Sequence, residues 1–291
     1  MHNPTCPDWA EALLNGFSQI FLQRQPLCGL LCLLAILIGA PTLLGGALLG
    51  GVAGLLTAQR RGYPKAERQA GLYSYNGVLL GLLIGQHCAW SALLPPLILA
   101  CGGLSAILTR QWLQYAPHPD ALPVYTAPFV GLGWLLLGTP PGSPFALSEP
   151  DALSMLTAPF TGLAQIMLLD QPLAGAVIAL GLLLANRRAA LWALIGAGSG
   201  VCVGLLLDEP ASTLLGLYSY NPALAALALS QARRRPWLPL LGIVLAIALT
   251  PGFAALQLPA LTAPFILACW LVRAGRRMLQ KTRMDSPFES P

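Results

Sequence analysis

GLYSYNGVLLG covers residues 71–81, and GLYSYNPALAA covers residues 216–226. The same six letters stand twice in one chain, each time opening an apolar run. Two copies about half a chain apart point to an internal duplication. Three more pairs occur in the same order. GFSQIFLQRQP (16–26) pairs with GLAQIMLLDQP (162–172), and GGVAGLL (50–56) with GVCVGLL (200–206). LPVYTAPF (122–129) pairs with LPALTAPF (258–265). Between the copies lies TPPGSPFALSEPD (139–151), a Pro- and Gly-rich stretch that reads as a linker. The chain therefore divides into a first repeat (1–138), the linker (139–151), a second repeat (152–274) and a polar, basic tail (275–291).

Composition says where such a chain folds. Of its 291 residues, 56% are hydrophobic and 9% charged. A soluble domain carries about 25% charged residues, so too few charges are present to coat a soluble core of this size. With apolar runs following one another for most of the length, the sequence predicts an all-α polytopic membrane protein. The runs are 27–40, 43–58, 71–87, 89–109 and 121–138 in the first half. In the second they are 172–185, 190–207, 212–230, 236–250 and 258–272. That is five spans per half. Segments 9–22 and 153–169 are left over and read as partial, tilted or re-entrant helices. The tail from Arg273 is expected to be disordered or at the surface. Six cysteines (Cys28, Cys32, Cys88, Cys101, Cys202, Cys269) lie in or beside apolar runs without a Cys-x-x-Cys pair, and read as small buried hydrophobes. The N-terminus carries Asp8 and Glu11 where a secretory signal would be basic.

The net charge of +5 sits in short clusters between apolar runs, which is a membrane pattern and not a nucleic-acid one. These clusters also orient the halves. The loop RRGYPKAERQ (60–69) is basic, while its counterpart DEP (208–210) is acidic. APTLLGG (40–46) is uncharged, while NRRAA (186–190) is basic. GQH (85–87) faces QARRR (231–235), and the linker faces RAGRRMLQKTR (273–283). At all four places the positive charge changes sides. Positive-inside placement then requires the halves to run in opposite directions, with both termini cytoplasmic. Matched motifs of inverted halves meet around a pseudo-two-fold axis near the bilayer centre.

The polar groups in the repeated motifs are all neutral: Gln19 and Gln165, Tyr75 and Tyr220, Asn76 and Asn221, Thr126 and Thr262. A coupled pump calls for an ionisable intramembrane group, and a zinc enzyme for a cluster of His, Cys or carboxylates. His2 is terminal, and His87 and His118 read as isolated loop residues. Hydroxyls, amides and aromatic faces suit a path for a neutral polar solute. Prolines around each threonine (Pro123 and Pro128, Pro259 and Pro264) free backbone carbonyls that could face such a path beside the Thr hydroxyls. A lone Thr in a membrane helix often only ties helices together; one inside an octapeptide written in both halves is read as a pore oxygen. Asn76 and Asn221 are read as scaffold, and Tyr73 and Tyr218 as interfacial belt residues. A third TAPF, at 157–160, falls outside the LPxxTAPF pattern and is read as chance or structural.

LPxxTxPF in each half, the paired GLYSYN segments and the QIFLQRQP/QIMLLDQP pair together resemble the urea transporter family, over roughly residues 15–272. The resemblance implies a homotrimer in the plasma membrane, here a bacterial inner membrane, with a pore in each protomer. It implies two inverted halves of five spans and one tilted re-entrant helix each. It also implies passive, channel-type passage of urea, with no cofactor, metal, nucleic acid or catalysis. Carried over by position, the oxygen line includes Gln19, Gln165 with the backbone at Ile166, Thr126 and Thr262. The slot walls include Leu22, Tyr75, Leu79, Tyr220 and Leu224. The chain departs from the family pattern at Ser74 and Ser219, where smaller residues are frequent, and at Pro222. Tyr75, Tyr220 and Leu22 stand where Phe is frequent, and some members carry Glu where Gln165 stands. Rival readings are a channel for short amides, ammonia or water, and a coupled secondary transporter.

Overall fold

The computed structural model describes residues 8–115, 121–137, 152–232 and 235–285. The linker, His2 and His118 lie outside these residues. Within them, two successive series of seven α-helices follow one another. The first is α1 (Asp8–Gln19), α2 (Pro26–Gly39), α3 (Leu44–Arg60), α4 (Lys65–Gln69), α5 (Tyr75–His87), α6 (Leu94–Tyr115) and α7 (Ala127–Leu137). The second is α8 (Ala152–Gln165), α9 (Pro172–Ala185), α10 (Arg187–Leu206), α11 (Pro210–Leu214), α12 (Tyr220–Ser230), α13 (Trp237–Ala255) and α14 (Ala263–Asp285). The packing repeats with the order. α3 packs on α5 and α6, as α10 does on α12 and α13; α1 packs on α2, as α8 does on α9. The halves touch through α2 against α9 and α7 against α14.

Three stretches are long and apolar enough to cross a membrane: Pro41–Arg60, Arg187–Leu206 and Trp237–Ala255. α2, α7 and α9 are apolar but shorter. Within the predicted runs 71–87 and 212–230 the central helices start only at the second Tyr of GLYSYN, and the second run also takes in the last residues of the short α11. At about 1.5 Å per residue, these 13- and 11-residue helices reach roughly 20 and 17 Å, well short of the ~30 Å hydrocarbon core. They are apolar on all sides because they stand in the centre: every residue from Tyr75 to Ile84 is buried, as is every residue of α12. The GLYS segments before them are turns. Gly71 and Gly216 take positive φ (76° and 77°), and a Cβ on either would meet backbone atoms of the facing α1 or α8 within 3 Å.

Glycine sets the helix spacing. A Cβ on Gly50 would lie 1.9 Å from Gly77 O, and one on Gly81 1.9 Å from Gly46 O. On Gly196 and Gly200 it would strike the carbonyls of Pro222 and Tyr218. So α3 lies against α5, and α10 against α12, backbone to backbone, as small residues permit between membrane helices.

Of the two readings of the tail from Arg273, the described residues show the surface one and not disorder: α14 continues without a break to Asp285, with Met278 and Leu279 72% and 69% exposed. Its last three turns alternate Arg and Lys with Met278 and Leu279, good helix formers that extend the preceding span. The cysteines are not uniformly buried: Cys28, Cys32 and Cys269 are, but Cys88 and Cys202 lie on the outer surface. Tyr73 is no belt residue. It is 1% exposed, and its hydroxyl donates to Glu67, which Arg110 also holds at 3.2 Å. The third TAPF is structural: it lies inside α8, where Thr157 Oγ1 donates to Leu153 O at 2.9 Å. His87 ends α5, with Nδ1 3.0 Å from Leu83 O.

Candidate functional site

Each LPxxTAPF octapeptide enters the core as extended chain, turns at its fourth residue and starts a helix at its Ala. The turn residues Tyr125 and Leu261 both have φ of 42°, a left-handed conformation that non-glycine side chains rarely adopt. The two turns face each other. Thr126 Oγ1 and Thr262 Oγ1 are 2.6 Å apart, and the residues are 4% and 3% exposed. The sequence placed these threonines 136 positions apart; the fold puts their hydroxyls in direct hydrogen bond.

Around this pair the polar groups engage in matched ways. Asn76 Oδ1 accepts the Phe129 N–H at 3.3 Å, and Asn221 Oδ1 accepts the Phe265 N–H at 3.1 Å. Both N–H groups lie in the first turn of a helix, where no intrahelical acceptor exists. The asparagines therefore join α5 to α7 and α12 to α14, which is the scaffold role read from the sequence.

The octapeptide carbonyls are placed differently from expectation. They do not stand free beside the threonines, because side chains take them. Trp112 Nε1 donates to Leu122 O at 2.9 Å and Trp270 Nε1 to Pro123 O at 2.9 Å. Trp134 Nε1 donates to Pro259 O at 2.8 Å. Tyr75 OH donates to Tyr125 O, and Asn221 Nδ2 to Leu261 O at 3.0 Å. A buried carbonyl without a donor costs free energy, so an irregular chain inside the protein draws donors from its surroundings.

Two of these bonds form a crossed latch. Trp134 lies eight residues after Thr126, and Trp270 eight after Thr262. Each reaches across to the proline carbonyl of the other half. Trp270 also stacks on Trp112, and Trp134 lies against Phe253. Sequence reading missed this latch, although the signal was present in the spacing: TAPF is followed by Trp at the same offset in both halves. Trp134→Phe and Trp270→Phe each leave one half-buried carbonyl without its donor. Each is expected to cost about 1–3 kcal/mol, and the two variants are expected to lower the thermal midpoint of the purified protein to a similar extent as each other.

The predicted glutamines are the last residues of α1 and α8. Both helices end inside the protein, in turns closed by Leu22 (φ 55°) and Leu168 (φ 59°). These turns take the last helix carbonyls, with the Leu22 N–H on Gln19 O at 2.9 Å and the Leu168 N–H on Gln165 O at 3.0 Å; the partial negative charge of a helix C-terminus remains, and two such ends suit a solute rich in N–H groups. Gln19 and Gln165 are half-buried, and Ile166 is 3% exposed. Of the slot residues, Tyr75, Leu79 and Leu224 are at most 2% exposed, Tyr220 is 9% exposed and Leu22 is half-buried. Tyr75, Leu79, Tyr220 and Leu224, with Ile166, belong to one continuous core, and Leu22 packs against it.

Fold and site define a polytopic helical protein whose two like halves bring neutral hydroxyls and amides together at its centre. Residues 10–277 match the family model for urea transporters, and the chain belongs to that family. It is a family of transporters and not of enzymes. The chain is 29% identical to urea transporter 1 of Ovis aries over 302 residues, covering 92% of this chain and 77% of that protein. It is also 29% identical to urea transporter 1 of Rattus norvegicus over 298 residues, covering 91% and 75%.

Proposed function

We propose that this protein is a passive urea channel of a bacterial inner membrane, working as a homotrimer with one path per protomer and both termini cytoplasmic. Its halves are inverted repeats, each of five spans and one tilted half-helix, α1 or α8. The observation that carries the reading is the Thr126–Thr262 hydrogen bond, because it joins the matched motifs of the two halves at the centre. The repeated packing and the exchange of basic loops between the halves support the inversion.

Urea is flat, with four N–H donors and one carbonyl acceptor. Stripping its water leaves polar groups that cost roughly 2–7 kcal/mol each if unpaired. Gln19, Gln165, Ile166 O and the threonine oxygens offer acceptors, while Leu22, Tyr75, Leu79, Tyr220 and Leu224 offer flat or apolar walls. The groups gathered here are neutral, so the solute is held weakly enough to leave, as conduction requires. At the centre urea meets two hydroxyls that already bond each other. Passage exchanges that bond for bonds to the solute, with the pair closing behind it.

The purified protein in liposomes is expected to release urea faster than empty liposomes in stopped-flow light scattering without any ion gradient. Flux equal to that of empty liposomes would overturn the substrate. Flux that appears only with a proton or sodium gradient would show a coupled transporter. Equal flux of urea and of water or ammonia would show a channel of broader class.

A further inference from the structure

The two GLYSYN tyrosines are equivalent in sequence but not in bonding. In the first half the Tyr75 hydroxyl donates to Tyr125 O, while Asn76 Nδ2 turns away to Thr109 Oγ1 at 3.4 Å. In the second half the matched carbonyl, Leu261 O, is occupied by Asn221 Nδ2 at 3.0 Å. Tyr220 makes no matching bond to this carbonyl. The adjacent Asn221 side chain donates from its nitrogen to Leu261 O and accepts at its oxygen from Phe265 N. The Tyr220 oxygen is also not among the fully buried polar atoms that lack a partner, and the residue is more open than Tyr75, 9% against 2%. Its neighbours along α12 are all buried.

A phenol O–H without the carbonyl bond of its twin, next in sequence to the Asn221 that holds Leu261 beside Thr262, has a chemical use. Most of the groups assigned to the path are acceptors for solute N–H. The solute's single C=O needs a donor, or it loses its water without replacement. We propose that Tyr220 donates its hydroxyl hydrogen to the carbonyl oxygen of the solute, on the second-half side of the threonine pair only. This makes Tyr220 a specificity-determining residue for solutes with a carbonyl acceptor, and Tyr75 a structural counterpart that ties down the Tyr125 turn. The inference rests on the urea-channel reading.

The test compares urea with thiourea, which has nearly the same shape but a sulfur that accepts hydrogen bonds weakly. Fluxes of both are measured in liposomes holding the wild type, Tyr220→Phe or Tyr75→Phe. Where thiourea is too slow to follow, its block of urea flux is read instead. In Tyr220→Phe the preference for urea over thiourea is expected to fall about three- to tenfold, the worth of one neutral hydrogen bond. Tyr75→Phe is expected to change both solutes together and keep the preference. Tyr220→Leu serves as a second variant with the same expected loss. An unchanged urea-to-thiourea preference in the Tyr220 variants overturns the donor role, whatever the absolute flux. Absence of urea flux in the wild type would instead overturn the channel reading itself.

Discussion

Urea flux through a Thr126→Val/Thr262→Val double variant is expected to fall about 30-fold or more, with thermal stability close to that of the wild type. The two expectations have separate causes. Valine matches threonine in shape, and removing both partners of a buried hydrogen bond with shape preserved is nearly neutral. On the proposed path, however, the centre has lost both oxygens. At least one polar group of urea then crosses unpaired, and even the low end of that cost, about 2 kcal/mol, is about 30-fold in rate. The single variants sharpen the argument. Thr126→Val leaves the Thr262 hydroxyl buried without its partner, and Thr262→Val does the reverse. Each single change should therefore lower the thermal midpoint more than the double change does. Flux should fall in the order wild type, singles, double. Undiminished flux in the double variant would remove the threonines from the path.

The sequence made some of this legible and hid the rest for physical reasons. The duplication, the bilayer setting and the pairing of Thr126 with Thr262 were readable, because a repeated motif fixes equivalence without any coordinates. The scaffold role of Asn76 and Asn221 was also readable, since both stand at the start of a helix whose neighbour needs a cap. The helix starts were not. Hydropathy sees residues 71–74 as apolar enough to continue a span, whereas Gly71 at positive φ and its contact with α1 make them a turn. The use of the proline carbonyls was hidden as well. Freed carbonyls look like solute acceptors in sequence, but Trp134 and Trp270 arrive from the opposite half and take two of them. The different bonding of Tyr75 and Tyr220 was hidden most deeply. Identical hexapeptides cannot show which neighbour wins a carbonyl; that is decided across the fold, where Asn76 finds Thr109 and Asn221 takes Leu261 O.

The other large effect is expected from the glycines between α3 and α5. Gly81→Val and Gly50→Val are each expected to abolish recovery of monodisperse protein from detergent extracts. The contacts involved are backbone to backbone. A Cβ at 81 would lie 1.9 Å from Gly46 O, and one at 50 would lie 1.9 Å from Gly77 O. No rotamer change relieves a clash between a Cβ and a carbonyl, so the helices must move apart by about an ångström or more. Overpacking a core that can adjust its side chains costs about 1–3 kcal/mol. Here the adjustment falls on two helices that also make close contacts at Gly54 and Gly102, so the cost should exceed that range and approach the whole stability of a domain, about 5–15 kcal/mol. Replacement of a helical glycine is not the cause by itself, which a control can show. Gly131 and Gly198 have no atom within 4 Å of an added Cβ, so Gly131→Ala and Gly198→Ala should express like the wild type and keep its flux. Since α5 begins at Tyr75 and carries Asn76, any movement of α5 against α3 also shifts the anchor of α7 and the position of Thr126. Gly51→Ala is milder, because its Cβ would meet only the side chains of Val78 (2.9 Å) and Leu13 (3.1 Å), and this variant should therefore lose urea flux while it keeps its fold. Full flux in that variant, together with normal recovery of Gly81→Val, would show that the close approach of α3 and α5 does not position the site.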